Sequence, residues 1–225
     1  MDNPSQTSQQ AILDTLLERH GGTFSAELGI DLSQDTPEPL YRWLTAALLL
    51  SARISSAIAV RAARALGEAG WTTAEKMAGS TWEDRVHVLN RSGYARYDES
   101  TARRLGEAAQ RVIDDYGGDL RRLRDRAERQ PEKERRLLKE FKGIGDVGAD
   151  IFFREMQSVW DELYPFADKR ALAAAKRLGL PDTAEGLAAI VERGIFSQLV
   201  AALVRCDLAG DDDDIRQHAE SGRTE

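Results

Sequence analysis

Apolar residues recur at helical spacing along this chain, and no useful length of strand-type alternation interrupts them. Ala11, Ile12, Leu16 and Leu17 give a first amphipathic helix, closed by Gly21-Gly22. Residues 23–39, with Gly, Asp, Ser and two prolines, read as an irregular connection. Leu40 to Leu50 is apolar on most sides, as suits a helix buried in the middle of a bundle. Further helices are expected over about 55–68, 74–78, 82–89 and 98–116, capped by Thr72 or Thr73 and by Thr81, and stopped by Gly70 and Gly117-Gly118. Arg121 to Lys142 holds ten basic and five acidic side chains, and Pro131 breaks it into two helices; such stretches are most often solvated helix faces. Helices over roughly 146–157, 169–178, 184–193 and 196–206 follow. The fold class is all-α, without internal repeats.

A chain of 225 residues, 42 % of them hydrophobic, can bury a sizeable core as one large helical domain or two lobes. The longest apolar stretch, around Ala46–Leu50, is too short to span a bilayer, and the polar N-terminus lacks a signal pattern. No membrane partner is expected, and the protein should be soluble and cytoplasmic. The single cysteine, Cys206, excludes an intramolecular disulfide and a cysteine-ligated cluster, and reads as a buried, inert thiol. The net charge of −7 argues at first against a nucleic-acid partner. Its distribution changes that: residues 1–36 and 207–225 each carry −5, which leaves 37–206 at +3. Acid at both ends and a mildly basic body are compatible with DNA binding.

The most informative segment runs from Leu138 to Phe153. One helix ends near Phe141, the chain turns through Gly143-Ile144-Gly145, and another helix begins at once. Two glycines around an apolar residue allow a tight turn while Ile144 plugs the gap between the helices. The amides of Gly143 and Gly145, uncovered by side chains and beside a helix N-terminus, suit a phosphate oxygen. Small residues at Gly148 and Ala149 allow close helix packing. The same pattern also fits an ordinary helix connection with a glycine cap.

The run Phe141-Lys142-Gly143-Ile144-Gly145-Asp146-Val147-Gly148-Ala149 resembles the helix-hairpin-helix of endonuclease III-like DNA glycosylases, where it reads Leu-Pro-Gly-Val-Gly-Arg-Lys-Thr-Ala. Three further stretches follow that family's order. Leu48-Leu49-Leu50-Ser51-Ala52-Arg53 is similar to Leu-Leu-Ser-Ala-Gln, and Ser92-Gly93-Tyr94 to a Gly-Leu/Phe-Tyr turn. Phe166-Ala167-Asp168-Lys169-Arg170, followed by Arg177-Leu178-Gly179, is similar to the segment carrying the catalytic aspartate. The resemblance spans about 38–206 and implies a two-lobed helical DNA glycosylase fold. The expected divisions are 1–36 (N-terminal helix and connection, part of the second lobe), 37–142 (helical bundle lobe), 143–206 (second hairpin helix and C-terminal lobe) and 207–225 (an acidic, disordered tail).

The resemblance makes Asp168 the catalytic residue: a carboxylate that stabilises positive charge developing on the deoxyribose and orients the attacking water. Aspartate before a helix is also a common N-cap. Gly143, Ile144, Gly145, Gly148, Lys142, Arg53, Lys169 and Arg170 would contact DNA. Arg53 stands where the family has a glutamine that fills the gap left by an extruded base.

The departures are as informative. Val147 occupies the place of the lysine that forms a Schiff base, so lyase activity should be absent or weak. Ser51 to Val60 has no acidic residue, which argues against the adenine-removing subtype. One cysteine also rules out the family's iron–sulfur cluster, and no metal or other cofactor is expected. The leading reading is a monomeric, monofunctional base-excision glycosylase on double-stranded DNA. The alternatives are a DNA-binding protein of the same fold without catalysis, and a helical interaction scaffold. A DNA binder should gather Arg121 to Lys142, the hairpin amides and Arg53 on one surface; a scaffold should pair its arginines with acids.

Overall fold

The helix limits follow from local chemistry. Thr73, Thr81 and Thr183 each turn a side-chain oxygen to a backbone N–H of the helix they start, and Thr81 forms a reciprocal capping box with Asp84. Gly117 and Gly210 end helices in the left-handed conformation. The computed structural model describes residues 4–221, with side chains described from Gln9 onward. The helices are α1 (Pro4–His20), α2 (Phe24–Glu27), α3 (Pro37–Leu50), α4 (Ser56–Glu68), α5 (Ala74–Ala78), α6 (Trp82–Arg91) and α7 (Asp98–Tyr116). They continue with α8 (Arg121–Arg126), α9 (Pro131–Lys139), α10 (Asp146–Met156), α11 (Lys169–Arg177), α12 (Ala184–Ala188), α13 (Arg193–Ala209) and α14 (Asp212–Ser221). Short 3₁₀ turns cover Leu32–Gln34 and Asp161–Leu163, and no strand occurs among the described residues. No described helix is long and apolar enough to cross a membrane.

The chain divides into two compact units, Leu28–Phe153 and the pair of segments Met1–Glu27 with Arg154–Glu225. In the first, α3 is buried nearly all round, through Leu40, Tyr41, Trp43, Leu44, Leu48 and Leu49. The Trp43 indole N–H donates to the Phe152 carbonyl at 3.1 Å and ties α3 to α10. Arg85, buried on α6, donates to the carbonyls of Ala102 (2.9 Å), Met77 (3.2 Å) and Ser80 (2.8 Å), joining α5, α6 and α7. A Cβ on Gly106 would stand 2.6 Å from that guanidinium, so the close approach needs glycine.

In the second unit α13 is the central helix, burying Phe196, Leu199, Val200, Leu203 and Cys206. Glu155, fully buried, accepts the amides of Phe24 (2.7 Å) and Ser25 (2.8 Å) at the start of α2. Burial pushes its carboxyl above the usual range. Cys206 is buried as well, and burial together with the Asp211 and Asp212 carboxylates pushes its thiol up to about 12.

Three expectations about organisation are corrected. The stretch expected to be a disordered tail is ordered as far as it is described: Asp207 lies in α13, and 212–221 form α14, while 222–225 lie outside the described residues. Ile215 and Ala219, one turn apart, are buried, and Asp212, Asp213 and Asp214 occupy the first turn, where the helix dipole favours negative charge. Asp211 accepts from His20 (2.9 Å) and Arg19 (3.4 Å) at the end of α1. The bundle unit also starts at Leu28 rather than 37, and the division falls inside α10, so the whole hairpin belongs to one unit. The helix expected over 184–193 stops at Ala188.

Candidate functional site

In the hairpin, Phe141 and Ile144 are buried, and the Ile144 amide bonds back to the Phe141 carbonyl at 2.9 Å to close the turn. Gly143 has φ +99°, and a Cβ there would lie 3.0 Å from Arg104 Cδ and 3.6 Å from Leu48 Cγ, so both backbone angle and space require glycine. At Gly148 a Cβ would meet Ile144 Cγ2 at 3.0 Å and Ser51 Cβ at 3.4 Å. Gly145 faces open space. Gly143 and Gly145 are exposed, and the first amides of α10 lack acceptors within the helix, as at any helix N-terminus.

Three of the four stretches singled out in the sequence meet here. The Ser51 hydroxyl lies 2.8 Å from the Leu48 carbonyl and 3.2 Å from that of Gly143. The buried Tyr94 hydroxyl donates to the Leu49 carbonyl at 3.2 Å. Residues far apart in the chain thus brace the hairpin by short polar contacts. Arg53 is exposed in the turn after α3, two residues beyond Ser51. Lys142 is exposed and pairs with Glu107 at 3.2 Å. Val147 is 60 % exposed on the first turn of α10, and Asp146 beside it pairs with Lys139 at 2.6 Å.

Much of the basic stretch 121–142 is spent on acids. Arg121 pairs with Asp119 (2.7 Å), Arg135 with Asp150 (2.7 Å), and Lys133 with Glu128. Those pairs follow the pattern expected of a scaffold, while Arg122, Arg126, Arg129 and Arg136 of the same stretch are exposed and form no ion pair with a described carboxylate. The hairpin and Arg53 fit the DNA-binding expectation better than this stretch does.

Asp168, Lys169 and Arg170 lie in the other unit, at the head of α11. Gln157 holds the loop that leads into α11: its amide donates to the carbonyls of Phe166 and Arg154, each at 2.8 Å, and accepts from the Phe166 amide at 2.8 Å. Asp168 Oδ1 caps α11, accepting from the amides of Arg170 (2.9 Å) and Ala171 (3.2 Å). Oδ2 takes two bonds from Arg154, Nε at 2.8 Å and Nη2 at 2.7 Å. Both side chains are nearly buried, at 7 % exposure for Arg154 and 4 % for Asp168. Every oxygen of the carboxylate is therefore engaged, and its charge is met at contact distance. Arg170 pairs with Asp207 at 3.1 Å, whereas Lys169 is exposed.

Sequence reasoning missed Arg154, although a signal exists: Arg154 and Glu155 interrupt the apolar run from Ile151 to Met156, and charges on a buried helix need partners. Nothing in the sequence singled out Arg104 at Gly143. An open groove between α1 and α14 is lined by the polar side chains of Arg19, Asp214, Gln217 and His218. No described group of His, Cys, Asp and Glu side chains is gathered so as to hold a metal ion.

Neither a protein-family model nor a curated protein matches the sequence. Solved structures do match. A trapped endonuclease III–DNA covalent intermediate, an estranged-adenine complex, aligns with a TM-score of 0.50 at 18 % identity, covering 92 % of this chain and 86 % of the other. A non-covalent endonuclease III–DNA complex aligns with a TM-score of 0.53 at 17 % identity, with the same coverage of both chains. The chain has the all-α fold seen in these endonuclease III structures.

Proposed function

Taking that fold as the premise, we propose that this chain binds duplex DNA through its hairpin and uses Asp168 as a structural carboxylate rather than to hydrolyse a glycosidic bond. The open, braced backbone at Gly143–Gly145 supports the binding half, as does the fact that both structural neighbours are endonuclease III complexes with DNA. The observation that carries the choice between binding and catalysis is the Arg154–Asp168 pair. A carboxylate stabilises positive charge on the sugar only through negative charge that is not already cancelled, and orients water only through a free lone pair. Here a guanidinium 2.7 Å away neutralises the charge, and the α11 amides take the other oxygen.

A second reading, the monofunctional glycosylase, is favoured by the position of Asp168 at the head of α11, where the family segment has its catalytic aspartate. In either reading Val147 supplies no amine for a lyase step. Labelled duplexes carrying uracil, thymine glycol, a T·G mismatch or 8-oxoguanine, incubated with wild type and Asp168→Asn and split with and without hot alkali, separate the readings. The proposal expects gel shifts without strand breaks. Breaks that need alkali and vanish in Asp168→Asn would establish the glycosylase instead. Neither shift nor break would move the scaffold reading to the front.

A further inference from the structure

Some arginines of the unit Leu28–Phe153 are tied to acids, as Arg121 is to Asp119 and Arg135 to Asp150. Arg53, Arg61, Arg96 and Arg104 are all exposed, and none is hydrogen-bonded or ion-paired to a carboxylate among the described residues. An arginine without an internal acid keeps its donors and its full charge for something outside the protein.

These four arginines are grouped by the same contacts that brace the hairpin. Arg104 on α7 runs past Gly143, and its charge also acts on the buried Tyr94. Arg53 follows Ser51, whose hydroxyl lies on the Gly143 carbonyl. Tyr94 carries the grouping onward, because it leaves the Gly93 turn to bond Leu49 on α3. Across that turn, the Arg61 guanidinium from α4 lies 3.4 Å from where a Cβ on Gly93 would be. Arg96, three residues on, rests over the Tyr97 ring at 5.3 Å, which holds the guanidinium while leaving its edge N–H groups free. Of the acids close by in sequence, Asp98 accepts from Asn90 at 3.0 Å and from the Glu99 amide at 2.7 Å, and Glu107 pairs with Lys142.

We propose that Arg61 and Arg96 form a second phosphate grip at the Gly93 turn, linked through Arg104 to the hairpin, so that the DNA backbone is held at two separate places on this unit. The hairpin offers backbone amides to one phosphate; the turn offers two forked guanidinium groups to another. This inference rests on the proposed DNA binding, and names the arginines that carry it.

Salt dependence tests it, since each phosphate contact contributes about 0.9 to the slope of log affinity against log salt. Binding of an undamaged duplex is measured across a salt series for wild type, Arg61→Gln/Arg96→Gln, Arg61→Lys/Arg96→Lys, and Arg121→Gln/Lys133→Gln, whose cations are already paired. The glutamine pair should flatten the slope by about 1 and weaken binding roughly tenfold at moderate salt, while the lysine pair keeps most of the slope. Arg121→Gln/Lys133→Gln should leave both unchanged. A glutamine pair with the wild-type slope would overturn the second grip. If Gly143→Val abolishes binding in that same case, the DNA-binding reading stands without it. A wild type with no salt-dependent binding overturns both.

Discussion

The hairpin at Gly143–Gly148 and the helix start at Asp168 both place polar groups at a helix N-terminus, and they dispose of them in opposite ways. At the hairpin the amides face solvent, the turn is held from behind by Ser51 and Leu48, and unpaired arginines stand nearby. At Asp168 the amides of α11 are satisfied by the carboxylate, which is itself satisfied by Arg154, and the ensemble is buried. One region keeps its capacity for an external partner; the other has spent it internally. Two segments that match one family's motifs equally well can thus differ in the property that decides function, whether the matched group is free to act.

The sharpest way to break the comparison is at Arg154. Arg154→Met leaves a buried, unpaired carboxylate and should cost about 3–5 kcal/mol, read from the denaturation midpoint. Arg154→Met/Asp168→Asn should recover a large part of that loss, because no lone charge remains. A cost below about 1 kcal/mol for the single variant would mean that Asp168 is not structurally bound to Arg154, and would return it to candidacy for chemistry.

The hairpin side is sharpened by two glycines of unequal demand. Gly143→Val forces a branched side chain into φ +99° against Arg104 and Leu48, and should weaken DNA binding by more than about tenfold while costing about 1–3 kcal/mol of stability. Gly145→Ala meets nothing within 4 Å and should change stability by less than about 0.5 kcal/mol. Equal effects at the two positions would remove the geometric distinction.

The smallest effect is a pH dependence. Glu155 has its folded-state pKa raised by burial above the ordinary 4.5, so the native state holds the proton more tightly than the unfolded chain. Its contribution to stability is therefore fully present below 4.5 and is lost as pH rises from there through the raised folded value. Glu155→Gln should flatten that limb of the stability–pH curve; an unchanged slope would show that another group sets it.

How much of this was legible in the sequence depends on the range of the interaction. The helices, the caps at Thr73 and Thr81, and the turn at Gly143–Ile144–Gly145 were legible because each depends on residues a few positions apart. The pairing of Arg154 with Asp168 depends on a loop folding back under the control of Gln157, and no local pattern encodes it. The acidic C-terminal segment misled for another reason. Consecutive aspartates read as a solvated tail, yet the same residues favour a helix start, and the pair Ile215 and Ala219 gives that helix a face to bury.

Cys206 gives the unit that contains it a built-in clock. A thiol enclosed in α13 and pushed up to about 12 carries almost no thiolate while the helix stays packed. It becomes an ordinary, alkylatable cysteine only when its surroundings open. With no second cysteine in the chain to compete, the pace of its modification measures how often that unit comes apart, not how reactive the sulfur is.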